Sequence, residues 1–114
     1  MVDFLDGDSI AGGKVKTIGT LEAGTGLWHE PNTGATDETG FSALPGGCTF
    51  NNVSTNSTEF FGLHDFALWW TSTDPDSSAI NVSHWVASSL GSELIEWTDD
   101  QKINARSVRC IKDN

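Results

Sequence analysis

The chain reads as an α+β domain: a short N-terminal helix leading into a β-rich antiparallel meander. Three observations lead there. From Phe66 onward, aromatic and β-branched residues alternate with polar ones in short runs. Those runs recur at roughly ten-residue spacing and are joined by polar turns, the rhythm of an antiparallel sheet. Only residues 1–16 read as helical.

Taken in order, Val2, Phe4 and Leu5 form the end of one helix, stopped by Asp6-Gly7. Asp8 or Ser9 caps a second short turn that Gly12-Gly13 closes. The chain therefore opens in the middle of an element. From Thr17 to Thr39 it is loop-like, because Gly19, Gly24, Gly26, Gly34 and Pro31 interrupt every regular pattern; Trp28 is the one large apolar anchor. Phe41–Leu44 is a strand stopped by Pro45-Gly46-Gly47, and a second strand leaves from Cys48 to Val53. Ser54–Glu59 is a polar loop.

The second half is more legible. "FALWWTST" (Phe66–Thr73) is a strand with Phe66, Leu68 and Trp70 on one face and Ala67, Trp69 and Thr71 on the other. "AINVSHWVASSL" (Ala79–Leu90) puts Ile80, Val82, Val86 and Leu90 beside His84, and Asn81, Ser83, Trp85 and Ser89 opposite. A turn at Gly91-Ser92 leads to a short strand, Glu93–Thr98, then to a polar loop at 98–104. The last strand is Ala105–Ile111, with Val108 and Cys110 on one face. There is no internal repeat.

At 114 residues the chain makes one domain with a modest core. Sixteen acidic residues against six basic give a net charge of −10, which excludes nucleic acid and anionic membrane as natural partners. No apolar run reaches the roughly 20 residues that a membrane-spanning helix needs. The start "MVDFLDGDS" has neither the basic opening nor the apolar stretch of a secretion signal. Abundant Ser, Thr, Gly and Asn and a pair of distant cysteines nevertheless suit an extracellular setting. A bridge between Cys48 and Cys110 would close a loop worth about 4 kcal/mol in unfolded-chain entropy. Two buried thiols fit the same residues.

Four segments stand in order: "AGGKVK" (11–16), "NTGATDETGFSALPGG" (32–47), "FALWWTST" (66–73) and "SVRCIKD" (107–113). Together they resemble the Fibrobacter succinogenes major paralogous domain family, over nearly the whole chain. The resemblance implies a C-type-lectin-like fold, a bacterial extracellular location and no catalysis. It also implies that these residues are the C-terminal part of a domain whose first strand and main helix lie upstream. The family's final cysteine matches Cys110 and would pair with an upstream cysteine; Cys48 stands where an aromatic is commoner. A Cys48–Cys110 bridge is left open, with separate thiols slightly favoured.

Several side chains are candidates for a site. Glu30-Pro31-Asn32 is the tripeptide with which calcium-dependent lectins grip sugars, but calcium wants six to eight oxygen ligands. No downstream Trp-Asn-Asp supplies the rest, so no cofactor is expected and Pro31-Asn32 reads first as a turn. Trp97 with Asp99 and Asp100 is the best binding candidate, a glycan or protein ligand being met at the loops 51–65, 74–78 and 98–104. Trp69, Trp70 and Trp85 are core before they are stacking platforms. His29, His64 and His84 are widely spaced and follow no zinc motif.

The function expected is a non-catalytic surface module. The alternatives are an enzyme related to formylglycine-generating proteins, which would need a reactive exposed thiol, or a purely structural spacer. If the upstream helix is missing, the face bearing Ile80, Val82 and Val86 loses cover and becomes liable to self-association.

Overall fold

The computed structural model describes residues 5–71, 81–101 and 103–110, with only the backbone described at 81, 82 and 97–100. One short helix, α1 (Asp8–Val15), precedes five strands: β1 (Gly46–Asn52), β2 (Ser57–Leu63), β3 (Phe66–Trp70), β4 (Asn81–Ser88) and β5 (Leu94–Gln101). They form one sheet in the order β2-β1-β3-β4-β5.

Helix α1 departs from expectation at both ends. Gly7, at φ 100°, precedes its first turn, and no side chain caps it. The helix then runs through Gly12 and Gly13 instead of stopping there. These glycines are contacts, not terminators. A Cβ on Gly12 would lie 2.0 Å from the Glu93 carbonyl oxygen, and one on Gly13 would lie 2.3 Å from that of Gly34. The Gly13 N–H donates to the Ser92 carbonyl (2.9 Å), and the Ser92 hydroxyl donates to the Ser9 carbonyl (2.9 Å). The "AGGK" motif thus lets the helix backbone rest directly on the turn that enters β5.

The sheet is mixed, not a pure antiparallel meander. β1 and β2 form a hairpin in the register Cys48↔Phe61 and Asn52↔Ser57, closed by an Asn52 side chain that accepts from the Ser54 and Thr55 N–H groups. β3 follows β2 after a two-residue turn but pairs with the far side of β1, parallel to it, at Gly47↔Ala67. Gly47 has φ 67°, and a Cβ there would sit 2.6 Å from the Phe61 carbonyl oxygen. Three strands can converge only on a glycine at that point.

Beyond Gly47 the hairpin splays away from β3, and residues 103–107 fill the gap. The Thr49 N–H donates to the Ala105 carbonyl (3.1 Å), the Ser107 N–H to the Leu68 carbonyl (3.0 Å), and the Trp70 N–H to the Ser107 carbonyl (3.1 Å). Arg106 donates to the Thr49 carbonyl at 2.6 Å. The described part of the expected strand Ala105–Ile111, residues 105–110, is therefore a wedge with a single bridge, Trp69↔Ser107, and residue 111 lies outside the described residues. Phe41–Leu44 is likewise not a strand; Ala43 makes one bridge, to Lys16. Ser54–Glu59, expected as loop, instead turns at once into β2, and β5 continues through residues assigned to the 98–104 loop.

The core lies on one face. Across the register Ala67↔Ala87↔Leu94 and Trp69↔Trp85, β3, β4 and β5 present two alanines, a leucine and two half-buried tryptophans to α1 and Trp28. This is the side that alternation had assigned to Trp85, not the side of Val86. The physical reason is size: alanines at 67 and 87 leave room for a helix backbone and an indole to approach the sheet, which larger side chains would hold off. On the opposite face Val86 is half-buried and Ile95 is 44% exposed. Ile80 lies outside the described residues, as does the side chain of Val82.

Candidate functional site

Residues 16–45 contain no regular element, yet three buried side chains pin them to the sheet. Trp28 is fully buried, and its indole N–H points at the Thr17 hydroxyl and the Ala43 carbonyl, each at 3.1 Å. Lys16, also fully buried, spends its three ammonium hydrogens on the carbonyls of Thr33, Ser88 and Gly91, each at 2.8 Å. Burial pushes its pKa down to about 8, while the Glu93 carboxylate pulls the other way.

Asn32 is the third pin. It is buried at φ 48°, and its amide donates to the carbonyls of Thr17 (3.1 Å) and Gly19 (2.8 Å). The amide that a lectin-type site would offer to a sugar thus ties two loop segments together. The Glu30-Pro31 bond is cis and Glu30 is exposed. Its backbone N–H donates to Glu22 Oε2 (3.0 Å).

Trp97, Asp99 and Asp100 belong to β5, where Trp97 pairs with His84 and Asp100 with Val82; their side chains lie outside the described residues. The Glu30–Asn32 loop meets the other end of β4, because the Thr33 N–H donates to the Ser89 carbonyl (3.1 Å). At about 3.3 Å per residue the two candidate patches are separated by roughly 15–25 Å. They do not form one site. The loop at 74–78 lies outside the described residues. Cys48 is buried in β1 and Cys110 is exposed, and the two thiols are not joined to each other. Among the described residues no group of three or more His, Cys, Asp and Glu side chains could hold a metal ion, and no helix is long and apolar enough to cross a membrane.

Two features escaped the sequence reading. The first is the outer surface of the β1–β2 hairpin. Phe50, Phe61 and Leu63 are 48–50% exposed on one face and Phe60 is 58% exposed on the other, on strands that the reading had treated largely as a variable loop. Phe50 lies opposite Glu59, so Phe50 and Phe61 are diagonal neighbours on one face. The signal was present in "EFFGL", a short β-prone run masked by the polar residues before it. The second is a pair of histidines. His29 and His64 lie far apart in sequence, yet their rings meet edge to face with centroids 5.4 Å apart. No local spacing announces that contact.

A family model described as Fibrobacter succinogenes major domain matches residues 4–112. Neither a curated protein nor a solved structure matches the chain.

Proposed function

The chain belongs to the Fibrobacter succinogenes major domain family, and from that premise we propose a non-catalytic, extracellular surface module on a C-type-lectin-like scaffold. Its ligand, on this reading, is an extended polypeptide met at the β1–β2 hairpin. One observation carries this. Among the described strands β2 is an edge strand, and it displays Phe61 and Leu63 to solvent with Phe50 beside them on one face, and Phe60 on the other. Acidic, soluble chains normally protect such an edge with charge, proline or a covering loop. Left open, it offers main-chain hydrogen bonds to an added strand and apolar contacts for alternate side chains. The net charge of −10 favours a basic partner and speeds its approach.

The pinned loop at 16–45 supports the scaffold half of the proposal, since buried anchors hold an irregular segment in one place, as a loop that presents a surface on a rigid frame requires. The internal use of the Asn32 amide weighs against sugar binding at Glu30-Pro31-Asn32.

The test pairs a displayed-peptide library with a glycan array read with and without calcium. Extended peptides mixing apolar and basic residues should be selected. Their affinity should fall at least tenfold in the Phe50→Ser/Phe61→Ser double variant, with the far-UV circular dichroism unchanged. Glycan binding that survives the double substitution, or a library that yields no binder, would overturn the proposal.

A further inference from the structure

We infer that His29 and His64 form a two-imidazole site for a divalent transition ion of the zinc class, with the remaining coordination positions open to water or to a donor from outside. One nitrogen of each ring is already engaged. His64 Nδ1 lies 2.6 Å from the Leu27 carbonyl oxygen, which can only accept, so this nitrogen carries the proton. His29 Nδ1 lies 2.5 Å from Glu22 Oε1 and donates to that carboxylate. In the neutral form each ring therefore keeps its lone pair on Nε2, and neither Nε2 has a hydrogen-bond partner among the described residues.

An imidazole whose Nδ1–H is held by a carboxylate or a backbone carbonyl, with Nε2 left open, is how histidines are prepared for a metal. Here both orienting partners occur, one on each ring. Glu22 is well suited to the outer role, because Oε1 takes the His29 proton and Oε2 takes the Glu30 N–H (3.0 Å). The His29 hydrogen bond is also the main cause holding the Glu22 pKa below the usual carboxylate range.

Spacing agrees. With Zn–N distances of about 2.0–2.1 Å and tetrahedral angles, two imidazoles on one ion have centroids roughly 5 Å apart. The observed separation is 5.4 Å. The backbone holds the pair: the His29 N–H donates to the His64 carbonyl (2.8 Å), and the His64 N–H donates to the Pro45 carbonyl (3.0 Å). The His29 side chain is 38% exposed, so an ion has access.

The experiment titrates the protein with Zn²⁺ alone at pH 7.5 by calorimetry and follows the imidazole ¹⁵N resonances. One equivalent should bind, with the Nε2 shifts of His29 and His64 moving and that of His84 staying in place. His64→Asn is the useful variant: its amide can still donate to the Leu27 carbonyl, and asparagine tolerates the φ of 71° found there. It lacks only Nε2. Affinity should fall at least tenfold in His64→Asn and His29→Asn, and about tenfold in Glu22→Ala, where only the orienting partner is lost. No binding at millimolar Zn²⁺, binding as tight as the wild type's in the two asparagine variants, or a shift confined to His84 would each overturn the inference. The wild-type resonances decide the matter if a variant fails to fold.

Discussion

Lys16 shows most clearly how a single side chain holds this fold together. Its ammonium is the shared donor for three carbonyls drawn from the loop at Thr33, the end of β4 at Ser88 and the turn at Gly91. Replacing it with methionine keeps the apolar stem but leaves three carbonyls without that donor, so Lys16→Met should lower the unfolding free energy by on the order of 3 kcal/mol at pH 7. A pH dependence follows from the same residue. Its folded pKa of about 8 lies below the ordinary 10.5. Between those values the unfolded chain binds more protons, so this group makes stability rise with pH across that window. Urea unfolding at pH 7.5 and pH 9.5 should show a gain in the wild type that is missing in Lys16→Met. A wild type that loses stability over the window would mean that the three carbonyls hold the charged form more strongly than burial disfavours it.

At the scale of elements, helix α1 depends on having no side chain at two consecutive positions. Glycine inside a helix ordinarily costs about 1 kcal/mol relative to alanine. Here the sign should reverse. The Cβ of Gly12→Ala would meet the Glu93 carbonyl at 2.0 Å, a collision with backbone that no rotamer change relieves. Overpacking of this kind costs about 1–3 kcal/mol, and the lost Gly13–Ser92 hydrogen bond adds to it. Gly12→Ala should therefore lower the urea midpoint. A variant as stable as the wild type would show that the helix does not rest on the β5 turn. The β1–β2 hairpin is the converse case: little is packed on it, so its exposed phenylalanines can change with little effect on stability.

For the whole molecule, charge and apolar surface act against each other. At neutral pH a net charge of −10 repels neighbouring copies; near the sequence pI of about 4.3 that repulsion vanishes. Sedimentation should show a monomer at pH 7.5 and association near pH 4.5, with the Phe50→Ser/Phe61→Ser variant staying monomeric at both. Association that persists in the double variant would place the sticky surface elsewhere, the sheet face carrying Val86 and Ile95 being the next candidate.

From the amino-acid order alone came the strands built on Phe66–Trp70 and Asn81–Ser88, the turn at Gly91-Ser92, the loop character of 17–39 and the family. Each depends on neighbours within a few residues, where alternation and glycine placement act directly. Tertiary structure decided the rest. Alternation divides a strand into two faces but does not say which one a helix covers, and here the small side chains of Ala67 and Ala87 made that choice against the bulkier Val86 side. β2 forms because β1 lies beside it, despite the polar residues that precede it. His29 and His64 meet because His29 pairs through its backbone with the turn between β2 and β3. Contacts of that range are made by folding, and no local pattern carries them.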